Sequence, residues 1–244
     1  MPSLQAYSRT LDYSYAPGMF PSMEALLNAP QRVRRLLLSS RAEGTEGAQK
    51  LTALCEQQHI RVEIADKALS RLSSKENCFA AAVFEKAQSA LQTGAHVVLH
   101  HPADTGNLGT ILRTALGMGY LDIAIIRPAA DVFEPHVVRA SMGALFSLRV
   151  REYDDFETYR AEFPNQALYP FMLDGSTDLE TAVQTAHAPL SLIFGNEGAG
   201  LPSEFATMGR PVRIAHSGKI DSLNLSIAAA IGMYEFGKAM KQHG

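Results

Sequence analysis

His96-Val97-Val98-Leu99-His100-His101-Pro102-Ala103-Asp104-Thr105-Gly106-Asn107-Leu108-Gly109-Thr110-Ile111-Leu112-Arg113-Thr114-Ala115 passes from an apolar run, through a polar turn, into helical periodicity. Residues 96–100 read as a buried strand and 108–118 as a helix. A helix start leaves backbone N–H groups unpaired and carries the positive end of the helix dipole, so this junction attracts anions or carbonyl groups. Asn107 can cap the helix there and also offer its amide to a ligand. Ile111, Leu112, Ala115 and Leu116 make the apolar face, and Arg113 falls well off it. Taken alone, the segment is also explained by a capped helix with a solvated arginine.

Outward from this junction the alternation continues. Downstream, 122–127, 144–150, 167–173, 190–194 and 212–214 read as strands, and 134–140 and 156–163 as helices. A long helix over 222–240, with Ser222 as N-cap, closes the chain. Such alternation implies an α/β fold with a mostly parallel sheet covered by helices on both faces. Upstream, a helix at 22–28 capped by Ser22, a strand at 33–38, a helix at 47–58, a strand at 61–65, a short helix at 67–72 and a strand at 79–84 make a small α/β unit. The expected organisation is a small domain over 1–84, a linker over 85–94 and a larger domain over 95–244. Leu223, Leu225, Ile227, Met233, Tyr234 and Phe236 make the last helix apolar nearly all round, so a core or a second subunit covers it.

Two further segments carry chemistry. In Leu192-Ile193-Phe194-Gly195-Asn196-Glu197-Gly198-Ala199-Gly200-Leu201-Pro202 an apolar strand runs into three glycines around one carboxylate. Glycines there admit positive φ and let a ligand come close. The spacing G-x-x-G-x-G, late in the chain, does not fit a dinucleotide fingerprint, which disfavours a nucleotide-dependent oxidoreductase. Glu197 is either a loop acid or a functional one. In Arg213-Ile214-Ala215-His216-Ser217-Gly218-Lys219-Ile220-Asp221-Ser222-Leu223-Asn224-Leu225-Ser226, Asn224 falls in the first helical turn, where asparagine gains little from helix and suits a ligand contact.

Bulk properties add little. The 244 residues are 46% hydrophobic and 19% charged, with net charge −3. Residues 1–93 hold 11 Lys/Arg against 9 Asp/Glu, and residues 94–244 hold 11 against 16. Arg32, Arg34 and Arg35 form the tightest basic cluster, either a phosphate contact or a solvated strand face. The first residues lack the basic and apolar regions of a signal peptide, and no apolar run is long enough to cross a bilayer. Cys55 and Cys78 form no CxxC or zinc spacing, which suits the cytoplasm. His100, His101 and His216 lack metal-ligand spacing, so no metal is expected.

Together the three segments resemble the SpoU (TrmH-type) family of RNA 2′-O-ribose methyltransferases in the SPOUT superfamily. Asn107, Gly109, Arg113 and Ala115 match the first motif, N-x-G-x-x-x-R-x-A. Gly195, Glu197, Gly200 and Leu201 match the second, G-x-E-x-x-G-L, and Ser222, Leu223 and Asn224 match the S-L-N of the third. The third motif's usual I-P-M start reads Ile214-Ala215-His216 here. The resemblance implies S-adenosyl-L-methionine as cofactor and a trefoil knot in the C-terminal part of the sheet. It also implies a homodimer and a small L30e-like RNA-binding domain upstream. By position, Leu173, Gly195, Ile214 and Leu223 are implied to bind cofactor, and Asn107, Arg113, Glu197, Ser222 and Asn224 to form the catalytic polar set.

On this reading the substrate is RNA, ribosomal in preference to transfer RNA. A guanidinium is always protonated, so Arg113 is expected to clamp a phosphate and stabilise charge on the ribose oxygen rather than act as base. The proton acceptor stays open among the RNA phosphate, water and Ser222. The rival from another class is a non-catalytic RNA-binding protein, against which the five intact polar residues argue.

Overall fold

The computed structural model describes residues 5–72, 78–217 and 219–243. The first four residues, read above for a signal, and Gly218 of the third segment lie outside them. The chain forms two compact units, Met1–Ala87 with Asp131–Ser147, and Gln88–Ala130 with Leu148–Gly244.

In the first unit, β1 (Tyr13–Pro17), α1 (Met19–Asn28), β2 (Val33–Leu38), α2 (Glu46–Gln57), β3 (Arg61–Ile64), α3 (Asp66–Leu72) and β4 (Ala80–Glu85) follow in order. The sheet runs β1-β4-β2-β3, with β2 and β3 parallel and the other pairs antiparallel. The edge strand β1 escaped the sequence reading; its Pro17 is tolerated at the strand's end. Ser22 does not cap α1, which starts after Gly18. It is buried inside the helix, donating to the Ala16 carbonyl and accepting from the Ala82 amide. The basic cluster is already paired: Arg34 binds Asp12 and Glu85, Arg35 binds Glu63, and Arg32 donates to the Glu85 carbonyl. The guanidiniums of Arg34 and Arg35 are thus ion-paired, whereas that of Arg32 meets a backbone carbonyl.

The residues 131–147, read from sequence as part of the larger domain, pack in this first unit. The Ser14 hydroxyl donates to the Phe133 carbonyl, and Phe146 meets Phe84 edge-on at 4.9 Å. The strand expected over 144–150 starts only at Arg149. Gly143 turns left-handed before it (φ 82), and Ala144–Phe146 forms a 3₁₀ turn. A Cβ on Gly143 would stand 2.6 Å from that of Glu24, so the close approach requires glycine.

The second unit contains β5 (Ala95–His100), α4 (Thr105–Met118), β6 (Asp122–Ile126), β7 (Arg149–Tyr153), α6 (Phe156–Glu162), β8 (Ala167–Pro170), β9 (Thr177–Asp178), α7 (Leu179–Ala182), β10 (Leu190–Phe194), β11 (Val212–Arg213) and α8 (Leu225–His243), α5 being Pro135–Ala140 of the first unit. Five parallel strands stand in the order β7-β6-β5-β10-β8, and β11 pairs with β9 apart from them. Every residue of β6 and β10 is buried, as two covered faces demand. β8 is shorter than expected because Phe171 leaves the sheet to bridge Val212. Residues 88–94 are no free linker: the Ser89 amide donates to the Val150 carbonyl, the Gln92 amide to Asp122, and Leu91 is buried.

The helix α8 begins at Leu225, with Asn224 accepting from the amides of Ser226 and Ile227. Asn224, not Ser222, is thus its capping residue. Leu225, Ala229, Met233 and Phe236 are buried, while Ile227 and Tyr234 are 52% and 57% exposed. No helix among the described residues is long and apolar enough to cross a membrane.

β5 carries two buried histidines, and burial lowers both pKa values, His100 to about 4. Unfolded histidine titrates near 6.5, so the unfolded chain binds more protons between those values. The stabilisation is complete above about 6.5 and is lost as pH falls towards 4, by roughly 2–3 kcal/mol for His100. Thermal unfolding followed from pH 7 to 4 should show this loss, and His100→Phe should flatten it.

Candidate active site

The strand order reverses next to β5, where the chain leaves β6 and β7 on one side and later lays down β10 and β8 on the other. Ligands of parallel α/β sheets sit beyond the carboxyl ends of strands at such a switch point. The carboxyl ends of β10 and β5 lead directly into the second and first sequence segments.

After β10 the chain makes a closed turn, with paired hydrogen bonds between the backbones of Asn196 and Gly200. Gly200 takes φ 69. Gly195 has no room for a side chain: a Cβ would stand 2.3 Å from the Gly200 carbonyl carbon and 2.4 Å from the Leu201 nitrogen. The Asn196 amide oxygen accepts from the N–H groups of Gly198 and Ala199, and its Nδ2 donates to the His101 carbonyl at 2.9 Å. That residue ties the second segment to the first, and the sequence reading missed it. An asparagine amid glycines is a turn signal that could have found it.

Glu197 reaches across to the start of α4. Its carboxylate accepts from the Ala103 amide at 3.0 Å, the Asp104 amide at 3.1 Å and Asn107 Nδ2 at 3.3 Å. Asp104, rather than Asn107, caps α4, accepting from the Asn107 amide at 2.7 Å. Asn107 is left free to pass the chain of bonds on: its Oδ1 accepts from Asn224 Nδ2 at 3.0 Å. Glu197, Asn107 and Asn224, one from each segment, therefore form a continuous hydrogen-bonded string. Exchanging Glu197 for Gln turns one acceptor oxygen into a donor facing donors. The expected cost is about 1–3 kcal/mol in urea unfolding.

Beside the string lies a cleft of about 400 Å³, lined by all four residues expected to bind cofactor, Leu173, Gly195, Ile214 and Leu223, and by Glu197 and Ser222. Phe171 and Phe194, stacked at 4.4 Å, form its apolar wall. Asp174 and Glu197 are its charged members, and no lysine or arginine among the described residues lines it. His216, from the departing third motif, also lines it and bonds through Nδ1 to the Ile214 carbonyl. Asn107, Arg113 and Asn224 do not line the cleft. Arg113 is exposed on α4, with no hydrogen bond or ion pair to a described residue. No cluster of three or more metal-ligating side chains occurs among the described residues.

The second unit is a parallel α/β sheet with a cleft of small-ligand size at its switch point. Residues 94–234 match the SpoU rRNA Methylase family, and the chain belongs to that family. The 23S rRNA (uridine(2479)-2′-O)-methyltransferase of Streptomyces viridochromogenes is 34% identical over 146 residues, 57% of this chain and 50% of that one. The chain spans about half the length of the curated relatives it matches. An rRNA methyltransferase of Sinorhizobium meliloti, solved with AdoMet bound, superposes with a TM-score of 0.78 at 27% identity, covering 93% of this chain and 87% of that one. The SpoU methyltransferase AviRb of Streptomyces viridochromogenes shares the fold, with a TM-score of 0.78 at 24% identity, over 96% and 94% of the two chains.

Proposed function

We propose that this protein transfers a methyl group from S-adenosyl-L-methionine to a ribose 2′-hydroxyl of RNA, ribosomal RNA before transfer RNA. The observation that carries the proposal is the string from Glu197 through Asn107 to Asn224, which joins all three family motifs beside one cleft. The cleft suits the cofactor: its volume falls in the range of small-ligand sites, and its acidic, apolar lining complements a net cation with a flat heterocycle. Leu173, Gly195, Ile214 and Leu223 would hold it. When bound, it supplies an electrophilic methyl on a sulfonium.

The chain's own residues position the acceptor. Asn107 and Asn224, locked by the string, orient the ribose and the loop backbone, and Glu197 fixes Asn107 and the amides of Ala103 and Asp104 just before α4. Arg113 offers a planar fork to an RNA phosphate and stabilises negative charge growing on the ribose oxygen. Holding the oxygen in line with the methyl carbon lowers the barrier by several kcal/mol. No metal is assigned to the step.

The same family membership supports a trefoil knot in the C-terminal part of the sheet, where β10 lies between β5 and β8. It supports an L30e-like, RNA-binding role for the small domain of about residues 1–84. The exposed Ile227 and Tyr234 on α8 support a homodimer. Buried, unpaired Cys55 and Cys78 suit the cytoplasm. Calorimetry with S-adenosyl-L-methionine, followed by transfer of its labelled methyl into unmodified total RNA, tests the proposal. Binding and labelling support it; a protein that binds RNA but no cofactor is the non-catalytic alternative.

A further inference from the structure

A second cavity, of about 600 Å³, opens in the same unit on the carboxyl ends of β5 and β6. It shares Asn196, Ala199 and Gly200 with the cofactor cleft, so one turn of chain walls both. The rest of its lining is proline, alanine and the pair His100 and His101, with no charged side chain among the described residues. Such a wall offers nothing to a phosphate and suits a neutral planar group.

Among the polar side chains of this wall, Asn196, His100 and His101, His100 is the most deeply set. It is 7% exposed, and its Nδ1 is buried with no hydrogen-bond partner among the described residues. Its ring is held by stacking on His101 at 3.8 Å and by the edge of Phe205 at 5.2 Å. The backbone of His101 is pinned in turn: its amide donates to the Ile126 carbonyl, its carbonyl accepts from Asn196, and it takes φ 56. An unpaired buried imidazole costs stability, and folds tolerate such a group where a ligand completes the bond.

We propose that this cavity receives an unstacked nucleobase of the RNA substrate, hydrogen-bonded by His100 and stacked against the histidine and proline wall. Bases splayed from single-stranded RNA bind in this way, through aromatic faces and one or two edge contacts. The shared turn places the subsite beside the cleft, so a ribose presented for methylation has a wall for its own or a neighbouring base. The inference rests on the methyl-transfer reading, whose own failure would appear separately as absence of cofactor binding.

The test is ring ¹⁵N and ¹H shifts of histidine-labelled protein saturated with S-adenosyl-L-methionine. The four ribonucleoside 5′-monophosphates are added singly, with ribose 5-phosphate as the base-free control. Movement of the His100 signals with a nucleotide, and none with ribose 5-phosphate, is expected. Movement with none of the nucleotides, or equally with the control, overturns the proposal. His100→Phe keeps the ring and removes its nitrogens. It should raise KM for RNA up to about tenfold, the order of one lost hydrogen bond, with cofactor Kd unchanged. An unchanged KM would also overturn the proposal.

Discussion

Arg113→Ala should cut methyl transfer by roughly 10²–10³ while leaving the fold and the cleft intact. The side chain is exposed and makes no hydrogen bond or ion pair with a described residue, so its removal takes away no structural contact. Surface changes of that kind shift stability by less than about 0.5 kcal/mol. It does not line the cleft, so cofactor affinity should match wild type. Turnover should fall by roughly 10²–10³, the range for losing one charge-stabilising donor. Arg113→Lys should recover little, because an ammonium cannot reproduce the planar fork on two oxygens. Near-normal turnover for the lysine variant would refute the clamp. Single-turnover kinetics beside a thermal melt distinguishes these outcomes.

Gly195→Ala should act in the opposite way, through the fold of the cleft itself. The added carbon would lie within 2.5 Å of three backbone atoms of Gly200 and Leu201, none of which can swing aside as a side-chain tip does. The turn must open, and with it the Asn196 bonds that hold Gly198, Ala199 and His101. Overpacking costs about 1–3 kcal/mol where side chains absorb it, and a backbone collision belongs at or above the upper end. Cofactor affinity should drop at least a hundredfold. Calorimetry and urea unfolding on the same sample would show both losses. Wild-type affinity in this variant would mean that the cleft is not where the cofactor binds.

How much of this was legible in the sequence depends on the kind of signal. The strands at β2, β5, β6 and β10 stood out because buried parallel strands are unbroken apolar runs. Which residues pack together was less visible. Residues 131–147 alternate like the rest of the larger domain, yet contacts such as Gly143 against Glu24 are made with distant sequence, which periodicity cannot report. Caps were misplaced for a similar reason. Ser22, Asn107 and Ser222 all have the right chemistry, but Ser22 is used in the core, and Asp104 and Asn224 do the capping near the other two. Freed from capping, Asn107 is available to link Glu197 with Asn224. The pairing within the basic cluster was invisible for the same reason, since Asp12, Glu63 and Glu85, which hold Arg34 and Arg35, are far away in sequence.

The central claim, a methyl placed on ribose oxygen, is tested most directly by alkaline hydrolysis of RNA labelled from S-adenosyl-L-methionine by the wild-type protein. A 2′-O-methyl group blocks attack on the neighbouring phosphodiester. The account predicts label in alkali-resistant dinucleotides, accumulating roughly 10²–10³ times more slowly when Arg113→Ala replaces the wild type. Label released as mononucleotides would place the methyl on a base and contradict it.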